Sequence, residues 1–494
     1  MHLPIELDRS RPEPLQNQLY EQLRGLIINR RLKPNTRLIA TRFLAEQLGI
    51  SRTTVLLAYE RLIAEGYLET RPAVGTFVCS VLPDQAPAPL VNDNRVDDLP
   101  QTELRPPLFQ GTTPERVTAQ PQQSLIDFWG GPDFRIFPLK TWQRITQHIL
   151  ESYGRGISRP PPSAGIDSLR GAIADWLAAH RGIVVDREQI VIVAGAQQAY
   201  NIAARLFLRR GDRVVIESPG HTGATFLFES LGAVQYPVPV DDHGMLVDQL
   251  PPGTTALAYV TPSHQNPIGG TLPLDRRETL IEWARSAGAY LIEDDCDGDF
   301  RYRGMGPPSL KSLDPYGLVL YTGTFSKTLG AGLRLGYMVV PPDLVTATVA
   351  VKTLLDNGSP WLEQTVLAEF IASGEYDRHL RRVRKTYMER RDCLVGALRL
   401  FFGDVRLAGI DTGTYVSWRL SSSFPPAPMV QEVARSRGIG VYTVSEDHAS
   451  GRNDYRYADN TLLLGYSSLE ERQIRDGIAG LANALHNHRR VATG

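Results

Sequence analysis

Apolar positions in the first 80 residues recur at helical spacing in three places and then alternate. The stretch LQNQLYEQLRGLIINR, residues 15–30, places leucine and isoleucine on one helical face. TRFLAEQLGI and SRTTVLLAYERLIAEGYL predict two more helices joined by the turn LGIS, with Thr41 and Ser51 as N-caps and Gly49 ending the second helix. YLETRPAVGTFVC predicts two short strands around a turn. This order predicts a winged helix-turn-helix domain over residues 1–80.

Residues 81–124 have no usable periodicity and contain eight prolines. Such a composition is typical of a semi-extended linker and argues against a further domain. A linker of this length would let the first domain move relative to the rest of the chain.

From about residue 125 the pattern changes to apolar runs that alternate with amphipathic stretches. The runs that predict buried strands are 189–195, 212–219, 256–262, 289–295 and 318–326. Helical stretches such as AQQAYNIAARLFLRRG separate them. This alternation predicts an α/β domain over residues 125–485 with a doubly wound, mostly parallel sheet. In such sheets ligands bind at the carboxyl ends of the strands.

Composition and charge narrow the possible classes. The chain has 494 residues and a formal net charge of -1, so any nucleic-acid surface must be local. Residues 1–80 carry 11 basic against 8 acidic side chains. The three cysteines form no CxxC pair, which argues against a disulfide framework or a metal site. The sequence has neither a signal-peptide pattern nor an apolar run of ~18 residues, so we expect a cytoplasmic protein without a membrane partner.

Polar motifs follow four of the predicted strands. GAQQA opens a helix with a glycine turn, which suits a phosphate but is also an ordinary turn. SHQNPIGG offers the Asn266 amide as a donor, or is a structural turn. The acidic cluster in EDDCDGDF fits a metal site, solvent-facing turn charges, or a carboxylate beside a heterocyclic nitrogen.

The fourth motif, TGTFSKTLGAGLRLG, contains one of only six lysines among the 53 basic residues. A partly desolvated lysine at a strand end can act as an amine nucleophile, and the hydroxyls and arginine around it suit a phosphate. Together the four motifs require a ligand with a phosphate, a ring nitrogen, a ring oxygen and a carbonyl. Pyridoxal 5′-phosphate has these groups.

In their order these motifs resemble those of a fold-type I aminotransferase, and the whole chain resembles a MocR-type regulator of the GntR family. The resemblance implies a smaller C-terminal α/β part beside the sheet. It also implies that Lys327 forms an internal aldimine with pyridoxal 5′-phosphate and that Asp294 pairs with the pyridine nitrogen. The other implied cofactor-binding residues are Asn266, His221, Ala196, Gln197, Thr324, Ser326 and Arg334.

The N-terminal stretch resembles the GntR-type winged-helix domain through PLQNQLYEQLRGLI, RFLAEQLGISRTTVLLAYERLIAEGYLETR and GTFV. The resemblance implies binding to a double-stranded DNA operator. The implied DNA-binding residues are Arg37, Arg42, Arg52, Thr53, Thr54, Arg71 and Gly75. The sequence departs from the family pattern at LIATR, which lacks a serine cap at residue 40, and at AVGT.

The aminotransferase-like part departs from its family mainly where an amino-acid substrate would bind. His221 and Cys296 stand where the family usually has tyrosines, and Pro160 stands at the offset of a tyrosine from the partner subunit. Tyr153 is the alternative phosphate contact. The last predicted strand, NTLLLGYSS, contains no carboxylate-binding arginine, and Arg456 is the nearest candidate.

These patterns favour a homodimeric transcriptional regulator that is not an enzyme and has no catalytic residues. It would bind DNA and sense pyridoxal 5′-phosphate, or an amine or amino-acid effector, through Lys327. One alternative is a genuine aminotransferase with a DNA-binding appendage. The other is a scaffold that binds no cofactor.

Overall fold

The structure is a computed structural model in which residues 3–83, 126–444 and 455–492 are described. The chain divides into two compact units, residues 1–106 and 107–494. All but the first three residues of the predicted linker 81–124 lie outside the described residues. Within the described ranges, no helix is long and apolar enough to cross a membrane.

The first unit is built from three helices and a two-stranded hairpin. Its elements are α1 (Leu15–Ile28), α2 (Thr41–Leu48), α3 (Arg52–Ala64), β1 (Leu68–Arg71) and β2 (Gly75–Val78). The predicted apolar faces form its core, in which Leu19, Leu23 and Leu62 are fully buried. The predicted winged helix-turn-helix is confirmed.

Two of the three predicted helix ends in the first unit are correct. Ser51 caps α3 by accepting a hydrogen bond from the Thr54 amide at 3.1 Å, and Gly49 ends α2 with a left-handed φ of 62°. The predicted N-cap at Thr41 is wrong. Ala40 occupies the cap position without a side-chain hydrogen bond, and Thr41 is the first helical residue.

The second unit alternates helices with strands. Its helices are α4 (Leu139–Tyr153), α5 (Asp167–Arg181), α6 (Ala196–Phe207), α7 (Thr222–Ser230), α8 (Leu274–Ala287), α9 (Leu310–Leu313), α10 (Val345–Asp356), α11 (Trp361–Ala372), α12 (Glu375–Phe402), α13 (Ala427–Arg435), α14 (Tyr455–Asn460) and α15 (Glu471–Ala492). Its strands are β3 (Ile126–Asp127), β4 (Ile190–Val193), β5 (Arg213–Ser218), β6 (Val234–Asp241), β7 (Gly244–Met245), β8 (Leu257–Val260), β9 (Tyr290–Asp294), β10 (Val319–Thr324), β11 (Gly336–Val339), β12 (Arg406–Ala408), β13 (Tyr415–Arg419), β14 (Ile439–Gly440), β15 (Tyr442–Thr443) and β16 (Thr461–Gly465).

Eight strands form the main sheet in the order β4-β11-β10-β9-β8-β5-β6-β7. Strands β10, β9, β8, β5 and β6 are parallel, whereas β11 runs antiparallel to both β4 and β10, and β7 antiparallel to β6. Every residue of β4 and β8 is buried, as expected for strands covered on both faces. The predicted mostly parallel sheet is confirmed.

A smaller part at the C-terminus contains an antiparallel sheet in the order β12-β13-β16-β15. The long helix α12 packs against α15 beside this sheet. This part is the smaller C-terminal α/β region that the family resemblance implies.

Candidate functional site

The carboxyl ends of the parallel strands bring most of the predicted cofactor-binding residues to one edge of the sheet. Asp294 is the last residue of β9, and the neighbouring strand β10 pairs with it through Thr322. Lys327 comes three residues after the end of β10. His221 comes shortly after β5, and Asn266 follows β8. Because β5, β8, β9 and β10 are parallel neighbours, these residues follow strands that end at the same edge of the sheet.

Asp294 is buried and accepts hydrogen bonds from three other side chains. The hydroxyls of Tyr200 on α6 and Tyr259 on β8 both donate to its Oδ2, Tyr259 at 2.5 Å. The Cys296 thiol donates to its Oδ1 at 2.6 Å. A carboxylate has about four acceptor positions, so a place remains on Asp294 for a ligand donor. Burial, and then the Asp294 charge, raise the pKa of the Tyr200 and Tyr259 phenols and of the Cys296 thiol, so all three are protonated donors.

His221 is held at the start of α7 with its ring beside the tyrosines. Its Nδ1 accepts a hydrogen bond from the Ala224 amide at 3.2 Å. Its ring centroid lies 5.9 Å from that of Tyr200 and 6.1 Å from that of Tyr259. Burial lowers the pKa of His221, the Asp294 charge opposes this effect without cancelling it, and the Lys327 charge lowers the pKa further. The imidazole is therefore neutral, and it can lie against a planar ring.

The N-terminus of α6 forms a cradle of the kind that binds phosphate. Gly195 precedes the helix with a φ of 92°, and a Cβ added there would lie 3.0 Å from Arg334 Nη2. The Arg334 guanidinium donates to the Ala194 carbonyl. Nearby, Thr324 Oγ1 donates to Ser326 Oγ at 2.9 Å and accepts from the Ser326 amide at 3.1 Å. Register pairing of Val193, Gly336 and Thr324 places these groups on adjacent strand ends.

Gln197 stands in the first turn of α6 and connects the cradle to His221. Its Nε2 donates to the Gly223 carbonyl at 2.9 Å. A Cβ on Gly223 would lie 2.7 Å from Gln197 Oε1 and 2.8 Å from His221 Cε1. A larger residue here would displace the Gln197 or His221 side chain, so Gln197, Gly223 and His221 pack closely together.

Two polar groups of the site are left without partners. Within the described residues, the Lys327 amine and the Asn266 side-chain amide make no hydrogen bond, and Lys327 has no ion pair within 4.0 Å. Both are partly buried. An amine and an amide that face a site without partners suit a ligand with a carbonyl and a ring oxygen.

The structure gives Cys296 a role that the sequence did not indicate. The sequence indicated only that Cys296 replaces a tyrosine that is usual in the family, whereas in the structure its thiol donates to Asp294 Oδ1. Sequence reasoning also missed Tyr200 and Tyr259, which look like ordinary apolar positions of a helix and a strand. Their hydroxyl partner is 94 and 35 residues away in sequence, so no local pattern shows it.

Glu217 is a further buried acid that the sequence did not single out. It lies in β5, and its Oε2 accepts from the Thr261 hydroxyl at 2.5 Å and from Gln265 Nε2 at 3.3 Å. Burial raises the pKa of Glu217 to about 7, although the hydrogen bonds from Thr261 and Gln265 lower it.

The described part of this site contains no evident arginine that could bind a substrate carboxylate. β16, the last strand, contains none, and the side chain of Arg456 lies outside the described residues. The nearby Arg390 and Arg391 donate to the backbone carbonyls of Ser467 and Ile410. Tyr153 is exposed, with its ring 5.3 Å from that of Trp361.

The predicted DNA-binding residues lie in α2, α3, the wing and the segment before α2. Arg42, Arg52 and Thr53 are exposed at the starts of α2 and α3. The Thr54 hydroxyl instead lies 2.8 Å from Ser51 Oγ, which helps to fix the start of α3.

The wing residues are more constrained than the helix residues. Arg71 donates to Glu69 at 2.6 Å and to Asn35 at 2.9 Å, and its guanidinium lies 4.4 Å from the Phe77 ring centroid. Gly75 has a φ of 137°, and a Cβ there would lie 3.0 Å from Arg37 Nε. Arg37 is exposed beside the wing, whereas Arg71 is already paired within the unit.

Comparisons with known proteins match each unit to a family. Residues 15–78 match the model of bacterial regulatory proteins of the gntR family, and residues 134–456 match aminotransferase class I and II. The probable rhizopine catabolism regulatory protein MocR of Rhizobium meliloti is 33% identical over 97% of this chain and 96% of its own length. The HTH-type pyridoxine biosynthesis transcriptional regulator PdxR of Corynebacterium glutamicum is 32% identical over 98% of each chain.

Among solved structures, kynurenine aminotransferase of Pyrococcus horikoshii has a TM-score of 0.67 and 29% identity, covering 76% of this chain and 93% of its own. A gntR-type winged helix-turn-helix domain joined to an aminotransferase class I and II fold defines a class of transcriptional regulator. The chain belongs to this class, the MocR-type regulators of the GntR family.

Proposed function

We propose that the second unit binds pyridoxal 5′-phosphate and that the protein senses this cofactor, or an amine or amino acid that exchanges onto it, to control transcription. The observation that carries the proposal is the convergence of Lys327, Asp294 and the glycine cradle of α6 at one edge of the sheet. The fold and the family support the same cofactor, because relatives of this fold include aminotransferases.

The residues of the site fit the cofactor part by part. The phosphate would sit at the Ala196–Gln197 start of α6, where free amide groups and the helix dipole attract an anion. The hydroxyls of Thr324 and Ser326 would donate to it, and Arg334 would supply positive charge.

Asp294 and His221 fit the ring. Asp294 has an acceptor position left for a ring N–H, and the two tyrosines and Cys296 hold its carboxylate in place. His221 would lie against the ring face, and Asn266 would donate to the ring oxygen. When bound, the cofactor supplies an aldehyde for an amine and an electron-withdrawing ring. Lys327 supplies that amine, because a lysine can lose its proton and an arginine cannot.

We further propose that the first unit binds an operator in double-stranded DNA through α3 and the wing, and that the protein acts as a homodimer on paired half-sites. The exposed Arg42, Arg52 and Thr53 support contact with DNA from the helix-turn-helix. Arg37 and Gly75 support a contact from the wing. Arg71 is the weakest of the proposed contacts, because Glu69 already neutralises it.

A Lys327→Ala variant of the full chain tests the sensing role. The purified wild-type protein should show visible absorbance from covalently held cofactor, and the variant should lose it. The variant should still bind the operator, because Lys327 belongs to the second unit, but amines should no longer change that binding. Lys311→Ala is the matched control, since Lys311 is another partly buried lysine, in α9, and its amine donates to the Val319 carbonyl of β10. Equal absorbance in wild type and Lys327→Ala would refute the proposal.

A second candidate function, a working aminotransferase, is favoured by the likeness to kynurenine aminotransferase. The lack of an evident arginine for a substrate carboxylate in the described part of the site argues against this function.

A further inference from the structure

His264 and Asp297 form a buried pair beside the proposed cofactor site that no step described so far uses. His264 Nδ1 lies 3.2 Å from Asp297 Oδ2. Both side chains are at least nine-tenths buried. Among the described residues, the other two polar atoms of the pair, His264 Nε2 and Asp297 Oδ1, have no hydrogen-bond partner. Buried polar atoms without partners are costly, so such a pair calls for an explanation.

The sheet brings this pair to the same edge as Lys327. Asp297 comes three residues after the end of β9, and Lys327 three residues after the end of β10. These two strands are parallel neighbours, and the Asp295 amide donates to the Thr322 carbonyl at their ends. The Lys327 charge acts directly on Asp297 and lowers its pKa, against the effect of burial.

Charge balance around Asp297 rests on two groups. The pKa of Asp297 is lowered, so the carboxylate is ionised although it is buried, and a buried charge requires a counter-charge. Lys327 and His264 are the groups that lower it. The remaining titratable neighbours are phenols and a thiol whose pKa values burial raises, so they stay neutral: Tyr302, Tyr387, Tyr415, Tyr466 and Cys296.

We propose that the His264–Asp297 pair accepts the proton that Lys327 releases when its amine attaches to a carbonyl ligand. This rests on the proposed function of the site. A lysine ammonium must lose a proton before its nitrogen can form a bond to carbon. The proton passes to the pair, the amine nitrogen adds to the carbonyl carbon, and the carbonyl oxygen leaves as water. One proton moves from the lysine to the pair, so their summed charge does not change.

The surroundings of His264 suit this role. Gly269 and Gly409 face the ring, and a Cβ on Gly409 would lie 2.9 Å from His264 Nε2. The Tyr415 ring lies 4.7 Å away. The imidazole is thus fixed in one orientation toward Asp297. Gly409 lies between β12 and β13, so the histidine also connects the lysine site to the smaller C-terminal part.

The experiment follows how fast pyridoxal 5′-phosphate attaches to the full-length protein after the cofactor has been removed, by stopped-flow absorbance from pH 6 to 9. Asp297→Asn removes the acceptor. His264→Asn keeps a donor at the Nδ1 position but cannot take up a proton. Asp295→Asn is the matched control, because Asp295 is equally buried in the same loop and pairs with Arg181 and Tyr321 instead.

We expect Asp297→Asn and His264→Asn to slow attachment at pH 7 at least tenfold and to make the rate climb with pH over a range where the wild-type rate is flat. Asp295→Asn should follow the wild type. A His264→Asn variant with the wild-type rate and pH profile would overturn the proposal. If the wild type itself attaches no cofactor, the proposed function fails instead. Retained operator binding and an unchanged melting temperature show that the variants are folded.

Discussion

At the scale of single residues, the site depends on side chains whose partners lie far away in the sequence. Lys327, Asp294 and Arg334 could be predicted, because each stands in a motif at a strand end. Tyr200 and Tyr259 could not be assigned roles, because a hydroxyl in an apolar stretch gives no local sign of its partner. His264 and Asp297 stand in two of the polar motifs, but neither motif shows that the two side chains pair. The sequence shows which residue types are available, and the fold decides which of them meet.

Glu217 gives the site a defined dependence on pH. Burial raises its pKa to about 7 from the ordinary 4.5, so between these values the folded protein binds more protons than the unfolded chain. Its contribution to stability is therefore fully present below pH 4.5 and is lost as the pH rises through 7. A shift of this size corresponds to about 3 kcal/mol.

We expect Glu217→Gln to remove this dependence, because a neutral amide oxygen can still accept from Thr261. Urea unfolding of the second unit at pH 5, 6.5 and 8 measures the effect. The wild type should lose about 2–3 kcal/mol more than the variant between pH 5 and 8. Glu229→Gln, at an exposed position, should follow the wild type. Parallel curves for the wild type and Glu217→Gln would show that Glu217 does not cause the pH dependence.

At the scale of elements, the buried strands were predictable to within one or two residues. Strands β4, β5, β8, β9 and β10 each contain at least three consecutive apolar residues, so their runs stand out from the amphipathic helices around them. Strand β6 was not predicted. Pro237 and Pro239 interrupt its pattern, and such residues are tolerated near the edge of a sheet.

Strand β11 also escaped prediction, for a different reason. It has only four residues and follows directly on the glycine-rich stretch that precedes it. Its antiparallel direction depends on a pairing with both β4 and β10, which no periodicity encodes.

Arg52, the first residue of α3, allows a direct test of DNA binding. We expect Arg52→Ala to weaken specific operator binding by about tenfold or more, because a contact to a base or a phosphate is typically worth 1–3 kcal/mol. Cofactor absorbance should not change. Operator binding measured over a series of salt concentrations distinguishes a contact to a phosphate from a contact to a base, because the loss of a phosphate contact reduces the salt dependence.

Arg61→Ala is the control on the same helix, because Arg61 pairs with Glu65 at 3.0 Å and stacks on Tyr20. It should alter stability more than operator affinity. Unchanged affinity of Arg52→Ala at every salt concentration would exclude Arg52 from the interface.

At the scale of the whole molecule, the question is whether the second unit turns over amino acids. Working enzymes have turnover numbers of ~1–1000 per second. We expect rates well below this range with any common amino-acid donor, because the described part of the site offers no arginine free for a substrate carboxylate. A steady-state assay with amino-acid and keto-acid pairs measures the turnover number. Turnover within the enzymatic range would favour the aminotransferase function.

The segment between Thr324 and Gly336 imposes a fixed length on the chain. These two residues pair across β10 and β11, so residues 325–335 leave the sheet and return to it in a set register. Lys327 and Arg334 both lie in this connecting segment. An inserted or deleted residue must be absorbed within this segment, where it would displace Lys327 or Arg334, or else β11 slips, and a slip by one turns every side chain of a strand to the opposite face. Substitutions at its exposed Gly332 should be tolerated far better than any insertion or deletion, so alignments of functional relatives should be free of gaps here.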